Sequence, residues 1–413
     1  MVEWNGYLIL IFAIMAGNYI LDLIVENLNL KRLSPELPAE FEGHYDAEKY
    51  AKSQDYTKVR TKFGFITGSF DLAVMITFIL IGGFNYLDKF ARGFGFGEIL
   101  SGLIFVGILM IGMQIISLPF SIYSTFVIEE KFGFNRTTVK TFVLDLLKGL
   151  IISTILGGLV LWMVLWFFGA LGSLAWIYVW MGLVLFMILV LYISPTWIMP
   201  LFNKFTPLQD GELKDTIVNY MQTNKFKMKG LFTIDGSKRS SKANAFFTGF
   251  GKSKRIALFD TLIEKFEVSE ILTVLAHEVG HFKLRHVPKR IITGIFQMGL
   301  MLFILSLFIK NEGLFAAFGM ENVSIYASLI FFSFIYAPVS MILGLISTIS
   351  SRKHEYQADA FASQTTADPE SMINALKKLS VTNLSNLTPH PLKVFLEYDH
   401  PPVLARIEAI RKL

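Results

Sequence analysis

The chain has 413 residues, 53% of them hydrophobic and only 17% charged, with a mean hydropathy of +0.52. A soluble domain carries about a quarter charged residues, so much of this surface faces something other than water. The absence of cysteine excludes disulfides, thiolate metal sites and cysteine nucleophiles, and the net charge of +5 sits in loops between apolar runs, which suits anionic lipid headgroups rather than nucleic acid.

About 20 apolar residues cross a bilayer as a helix. Seven runs qualify or nearly do: 5–25, 65–88, 98–128, 149–169, 174–194, 291–310 and 324–348. The first follows Met1-Val2-Glu3-Trp4, which has no positive charge, and no small-residue cleavage site succeeds it. It reads as a retained helix, not a signal peptide. Pro338 predicts a kink in the seventh run. Asn18, Asp22, Asp71, Asn85, Gln114 and Gln297 lie inside the runs. Such groups are costly in hydrocarbon, so as a set they point to a hydrated interior. The segment 26–64 carries seven Lys/Arg and 129–148 carries four, while the alternate loops carry few. Basic loops stay in the cytoplasm, which places the N-terminus outside it and the C-terminus inside. The division expected is 1–194 for five spans, 195–290 for the first part of a soluble unit, 291–348 for two more spans, and 349–413 for the second part.

Within 195–290, the stretches 231–235, 243–248 and 255–259 read as strands of a small antiparallel sheet, separated near Gly236-Ser237-Lys238 and Gly251-Lys252-Ser253. An exposed edge strand there suits an extended peptide. His277-Glu278-Val279-Gly280-His281 follows on a predicted helix with Ser269 as its N-cap. Spaced by four, His277 and His281 share a face and reach one Zn²⁺, with Glu278 beside it as general base. Two histidines leave a catalytic site one protein ligand short. Glu355 is the candidate, on a helix expected to begin where the seventh span ends. Asp359, four residues on, shares its face and suits a carboxylate that orients a ligand histidine. His354 is turned about 100° away. In the tail, His400 or Arg406 suits an oxyanion.

These residues resemble those of a known family, the type I CAAX prenyl proteases, which are Ste-type integral-membrane zinc metalloproteases. The likeness runs through Glu129-Glu130-Lys131-Phe132-Gly133-Phe134-Asn135, Asn244-Ala245-Phe246-Phe247-Thr248-Gly249-Phe250, and Arg255-Ile256-Ala257-Leu258-Phe259-Asp260-Thr261-Leu262. It continues through the His-Glu pentapeptide, Glu355 to Asp359, and His400-Pro401-Pro402. The resemblance implies a mainly α integral membrane protein. About seven transmembrane helices would enclose a hydrated chamber, with a zincin-like metalloprotease domain carrying the small sheet. It implies removal of the last three residues after a prenylated cysteine in a C-terminal C-a-a-X sequence. It matches His277, His281 and Glu355 to the ligands of one Zn²⁺ per chain, and Glu278 to the base. Asn244, with Ala245 and Phe246, matches the substrate-binding edge. Asp359 matches the carboxylate behind a ligand, and His400 and Arg406 match residues that assist the transition state. The expected partners are a prenylated or other C-terminal peptide and membrane lipid, with no nucleic acid and a monomeric enzyme. The zinc site is expected on the cytoplasmic side, in the endoplasmic reticulum membrane of a eukaryote or the inner membrane of a bacterium. The alternatives are a quality-control metalloprotease for unprenylated membrane proteins, a non-catalytic zinc scaffold, and a transporter or channel.

Overall fold

Apolar length sets the architecture. The computed structural model describes residues 2–248 and 255–413, and seven helices among them are long and apolar enough to cross a membrane. In chain order the first half holds α1 (Gly6–Lys31), α2 (Ala47–Leu80), the short α3 (Gly83–Arg92), α4 (Gly97–Tyr123), α5 (Val139–Leu171) and α6 (Ala175–Ile193). Next come α7 (Glu212–Thr223), α8 (Asp260–Lys265), α9 (Val268–Lys283), α10 (His286–Phe308), α11 (Glu312–Ala317) and α12 (Ile325–Thr366). The chain ends with α13 (Pro369–Thr382), α14 (Pro391–Glu397) and α15 (Val403–Arg411). Helix starts follow side-chain caps: Asn5, Asp46, Thr138 and Ser324 each accept from a first-turn backbone N–H.

Two spans differ from the hydropathy reading. The second run, expected over 65–88, stops at Leu80, because Gly82 takes a left-handed conformation (φ 71°) and α3 starts afresh after it. The seventh span does not hand over to a separate helix. One 42-residue helix, α12, carries both the apolar run and the polar stretch with Glu355 and Asp359. Hydropathy detects where lipid lies, not where the backbone hydrogen bonds stop, so α2 and α5 also begin well before their apolar runs.

The helices close a ring. Helix α1 touches α2 and α12, α2 reaches α4 through α3, and α4 to α5, α5 to α6, α6 to α10 and α10 to α12 complete the circuit. Their packed core lies at one end. It is built from the start of α1 (Leu8, Ile11), the end of α2 (Ile79), the start of α4 (Phe105) and the end of α5 (Leu165, Phe168). The end of α10 (Leu302, Leu305) and the start of α12 (Tyr326, Phe331) complete it. There Asp88 of α3 accepts hydrogen bonds from Arg92, Asn322 and the Tyr326 hydroxyl. At the other end the ring is loose. Asn18, Asp22, Asp71 and Gln114 are exposed within their helices, and a carboxylate at that depth needs water. Asp22 opens on a polar cavity with Glu26, Arg60 and Lys393, bounded by α1, α2 and residues 383–398.

Beneath the open end sits a four-stranded sheet, in the order β1 (Phe205–Pro207), β2 (Gly230–Ile234), β4 (Arg255–Phe259), β3 (Ala245–Thr248). It is mixed, not antiparallel as expected: β2 and β4 run parallel, while β1/β2 and β3/β4 are antiparallel. The chain leaving β2 places β3 on the far side of β4, so β4 returns in the direction of β2. The core of this layer joins Leu231, Ile256 and Leu258 to Leu275 and Val279 of α9, Ile373 of α13 and Ile407 of α15. Phe41, Tyr45 and Tyr50, from the α1–α2 connection and the start of α2, complete it.

Candidate metal centre

Helix α9 carries the pentapeptide. Its N-cap is Glu267, not Ser269: the Glu267 side chain accepts from the backbone of Glu270, and the Glu270 carboxylate accepts from Glu267 N–H at 2.8 Å. This reciprocal box satisfies two donors at once, which a lone serine does not. Lys378 of α13 also binds Glu270, at 2.8 Å. Helix α9 packs along α12, and Gly280 makes that possible. A Cβ there would lie 3.2 Å from Ala358 Cα and 3.1 Å from the Phe361 ring.

This approach brings the donor set together. His277 Nε2 and His281 Nε2 are 3.1 Å apart, Glu355 Oε1 is 3.1 Å from His281 Nε2, and Glu355 Oε2 is 3.4 Å from His277 Nε2. Tetrahedral Zn²⁺ with bonds of about 2.0–2.1 Å separates its donors by roughly 3.3 Å. Glu355 is 2% exposed, and its Oε2 makes no hydrogen bond. A buried carboxylate oxygen beside two imidazole nitrogens fits a divalent cation. Burial opposes protonation of His277, yet its contacts with Asp359 and Glu355 outweigh that and push its pKa up to about 9. The negative field that holds a proton there also favours a metal.

Each histidine of the donor set is fixed from behind. His277 Nδ1–H donates to Asp359 Oδ1 at 2.7 Å. Arg406 clamps the same carboxylate with two bonds, at 2.6 and 2.8 Å. Its guanidinium is thus held by Asp359, with Nη1 3.9 Å from Glu355 Oε2. His281 Nδ1–H points to His286 Nδ1 at 3.1 Å, and His286 Nε2–H donates to Gln357 Oε1 at 2.9 Å. Since Gln357 Oε1 only accepts, His286 must donate from Nε2 and accept at Nδ1. His281 then carries its proton on Nδ1, and its Nε2 is bare toward the metal. His286 is fully buried and stacks on His354, with ring centroids 4.0 Å apart. Sequence reading missed His286. It lies beyond the pentapeptide, across a turn in which Arg285 is left-handed (φ 57°), so helical spacing does not relate it to His281.

Glu278 follows His277 on α9 and is half-buried. His400 reaches in from the turn before α15, with Nε2 3.4 Å from Glu355 Oε2 and Nδ1 2.8 Å from Asp399. The Asp399 carboxylate raises the His400 pKa against the opposing effect of burial. On the other flank, β3 pairs with β4 alone among the described residues, leaving an open edge. Asn244 is exposed, its carbonyl accepts from Phe259 N–H at 3.1 Å, and its side chain accepts from Ala245 N–H at 2.9 Å. Antiparallel pairing alternates, so Ala245 and Phe247 turn their remaining main-chain groups outward. Phe246 faces β4 with its backbone, and its ring lies against Phe259. Gly249, Phe250, Gly251, Lys252 and Ser253 lie outside the described residues. A cavity of about 740 Å³ joins Asn244, His400 and Arg406.

The chain is similar to known proteins. A family described as "CAAX prenyl protease N-terminal, five membrane helices" matches residues 26–204, and peptidase family M48 matches residues 207–413. The chain is 35% identical to a rice (Oryza sativa subsp. japonica) CAAX prenyl protease 1 homolog over 98% of this chain and 97% of the relative. It is 33% identical to CAAX prenyl protease 1 of Saccharomyces cerevisiae over 91% of this chain and 88% of the relative. The crystal structure of S. mikatae Ste24p superposes with a TM-score of 0.94 at 31% identity, over 99% of this chain and all of that one. A ring of seven membrane-length helices over a His-His-Glu group that could hold a metal, matched along almost the whole chain, makes this protein a metalloprotease of the CAAX prenyl protease family, within the M48 peptidases.

Proposed function

We propose that the protein is a Zn²⁺-dependent endopeptidase that removes the C-terminal tripeptide from prenylated C-a-a-X proteins or peptides. The observation that carries this is the donor triangle of His277, His281 and Glu355 with its unbonded carboxylate oxygen. When bound, one Zn²⁺ per chain polarises the scissile carbonyl and acidifies water. Glu278 takes a proton from the attacking water and returns it to the leaving amine. His400, kept protonated to higher pH by Asp399, donates to the developing oxyanion. Arg406 acts through Asp359, holding the carboxylate that orients His277. The substrate backbone pairs with the free side of β3 through the outward main-chain groups of Ala245 and Phe247, with the exposed Asn244 and the Phe246 ring flanking the bound peptide.

The segments 195–290 and 349–413 act as one peptidase unit beneath the spans of 1–194 and 291–348. The basic loops support a site on the cytoplasmic side, in the endoplasmic reticulum membrane of a eukaryote or the inner membrane of a bacterium. One chain supplies every ligand, so a monomer in lipid suffices.

Mass spectrometry of a farnesylated C-a-a-X peptide, incubated with the protein with and without a chelator, tests the reading. Chelator-sensitive loss of three residues is expected, with the unprenylated peptide cut more slowly. Glu278→Gln should keep the metal and lose turnover by about a hundredfold or more. Full activity in that variant removes Glu278 from the mechanism, and equal cleavage of both peptides sinks the prenyl specificity.

A further inference from the structure

The cavity beside the metal centre has an uneven charge. Lys242, His400 and Arg406 line it together with Asn244, Asn383 and Asn386, and no carboxylate side chain is among its lining residues. Arg406 is held by Asp359, and His400 lies between Asp399 and Glu355. Lys242 is the remaining cation, at the end where the edge strand begins. Its Nζ donates to the Tyr56 hydroxyl at 2.9 Å and to Glu129 at 3.0 Å, and it lies 4.2 Å from the Phe134 ring centre. An ammonium has three donors, so one is left over. Arg60 also donates to Tyr56, at 3.2 Å. Tyr56 donates on to Glu129 at 2.6 Å, so among the described residues Glu129 is the carboxylate hydrogen-bonded to the Lys242 ammonium, while Arg60 opens on the adjoining cavity with Asp22 and Glu26.

The backbone gives the Lys242 charge a position relative to the substrate. The Asn383 side chain seals Ala243, accepting from its N–H at 3.1 Å and donating to its carbonyl at 3.3 Å. Strand addition therefore stops at Ala243, and Lys242 lies just past the stop. A peptide laid antiparallel on β3 has its C-terminal end here. Three extended residues span about 10 Å, roughly the reach from Ala245 back to Lys242.

The lead-in is also held rigidly, by the motif between α4 and α5. Ser241 N–H donates to Phe134 O at 3.1 Å, Ser241 Oγ donates to Gly133 O at 2.8 Å, and Arg136 N–H donates to Arg239 O at 3.0 Å. Asn135 pairs with Ser240 as an isolated bridge. The stretch from Glu129 to Asn135 thus fixes residues 239–242 and orients the Lys242 ammonium.

We infer that Lys242 binds the free C-terminal carboxylate of the substrate, which lies antiparallel to β3 with its last three residues directed toward this charge. The inference rests on the peptidase reading above and adds to it how the enzyme counts residues from the chain end. A charge-assisted hydrogen bond from a half-buried ammonium discriminates between an acid and an amide.

The test compares one farnesylated C-a-a-X peptide as free acid and as C-terminal amide. In the unmodified protein the acid should exceed the amide in kcat/KM by about tenfold or more. In Lys242→Met the ratio should fall to about one, and Lys242→Arg should restore much of it. Each ratio is internal to one preparation, so a partly folded variant does not distort it. The same pair is titrated against metal-loaded Glu278→Gln protein with and without Lys242→Met, which reads binding without turnover. Acid preference that persists in Lys242→Met, or its absence from the unmodified protein, overturns the inference. Failure to cleave either peptide while Lys242-dependent acid preference appears in binding overturns the peptidase reading instead.

Discussion

His286 sets the protonation of His281, one of the three proposed metal ligands, from outside the donor set. Through Gln357 it is compelled to accept from His281, and that leaves His281 Nε2 bare. His286→Phe keeps a ring against His354 but removes the acceptor. Partners of this kind typically contribute 10–100-fold to metal affinity. The variant should bind Zn²⁺ about 10–100-fold more weakly in a competition titration, with thermal stability of the ring end unchanged. Unaltered affinity would show that the His281 tautomer does not depend on this contact. At this scale the sequence was legible where a helix relates residues: His277 with His281, and Glu355 with Asp359. It was not legible at His286, because the contact crosses a turn and a second helix.

At the scale of elements, the metal centre is a helix junction. Two of the proposed ligands come from α9 and one from α12, so the spacing of these helices sets the spacing of the donor atoms. Gly280 sets it. Gly280→Val presses a branched side chain against Ala358 Cα and Phe361. Overpacking of this sort costs about 1–3 kcal/mol. The thermal midpoint should drop, and Zn²⁺ stoichiometry at equal metal concentration should fall further than in the milder Gly280→Ala. Retained stoichiometry in Gly280→Val would mean that the junction yields freely. The apolar rhythm identified both helices, but their limits were misjudged for physical reasons. The capping box at Glu267 and Glu270 outweighs the serine between them, and α12 stays helical well beyond its apolar run.

Across the whole molecule, the loop after α1 ties the membrane half to the peptidase layer. Glu40 pairs with Lys377 of α13 at 2.6 Å and with Arg411 of α15. Burial tends to raise its pKa, but hydrogen bonds from Lys377 and Arg411 outweigh that and hold it below the usual carboxylate range. A folded-state pKa below the unfolded value means the stabilisation is complete above the ordinary carboxylate value. It fades as pH falls through the depressed one. Glu40→Gln should cost about 1–3 kcal/mol at neutral pH, mostly through the buried Lys377. Its stability in detergent should also change less between pH 6 and pH 3 than that of the unmodified protein. An identical acid limb in both would remove Glu40 from the linkage.

The residues alone determined that this is a multi-span membrane protein and which side chains have the chemistry for a metal-dependent hydrolase. Both are local properties: apolar length answers to bilayer thickness, and spacing by four answers to the helical turn. Only the tertiary structure decided that Glu355 meets the two histidines, that β2 and β4 run parallel, and that the packed core of the ring lies at the end away from the peptidase. Those features arise from contacts between segments far apart in the chain, where packing of one helix face on another selects the partner and no short-range period encodes it.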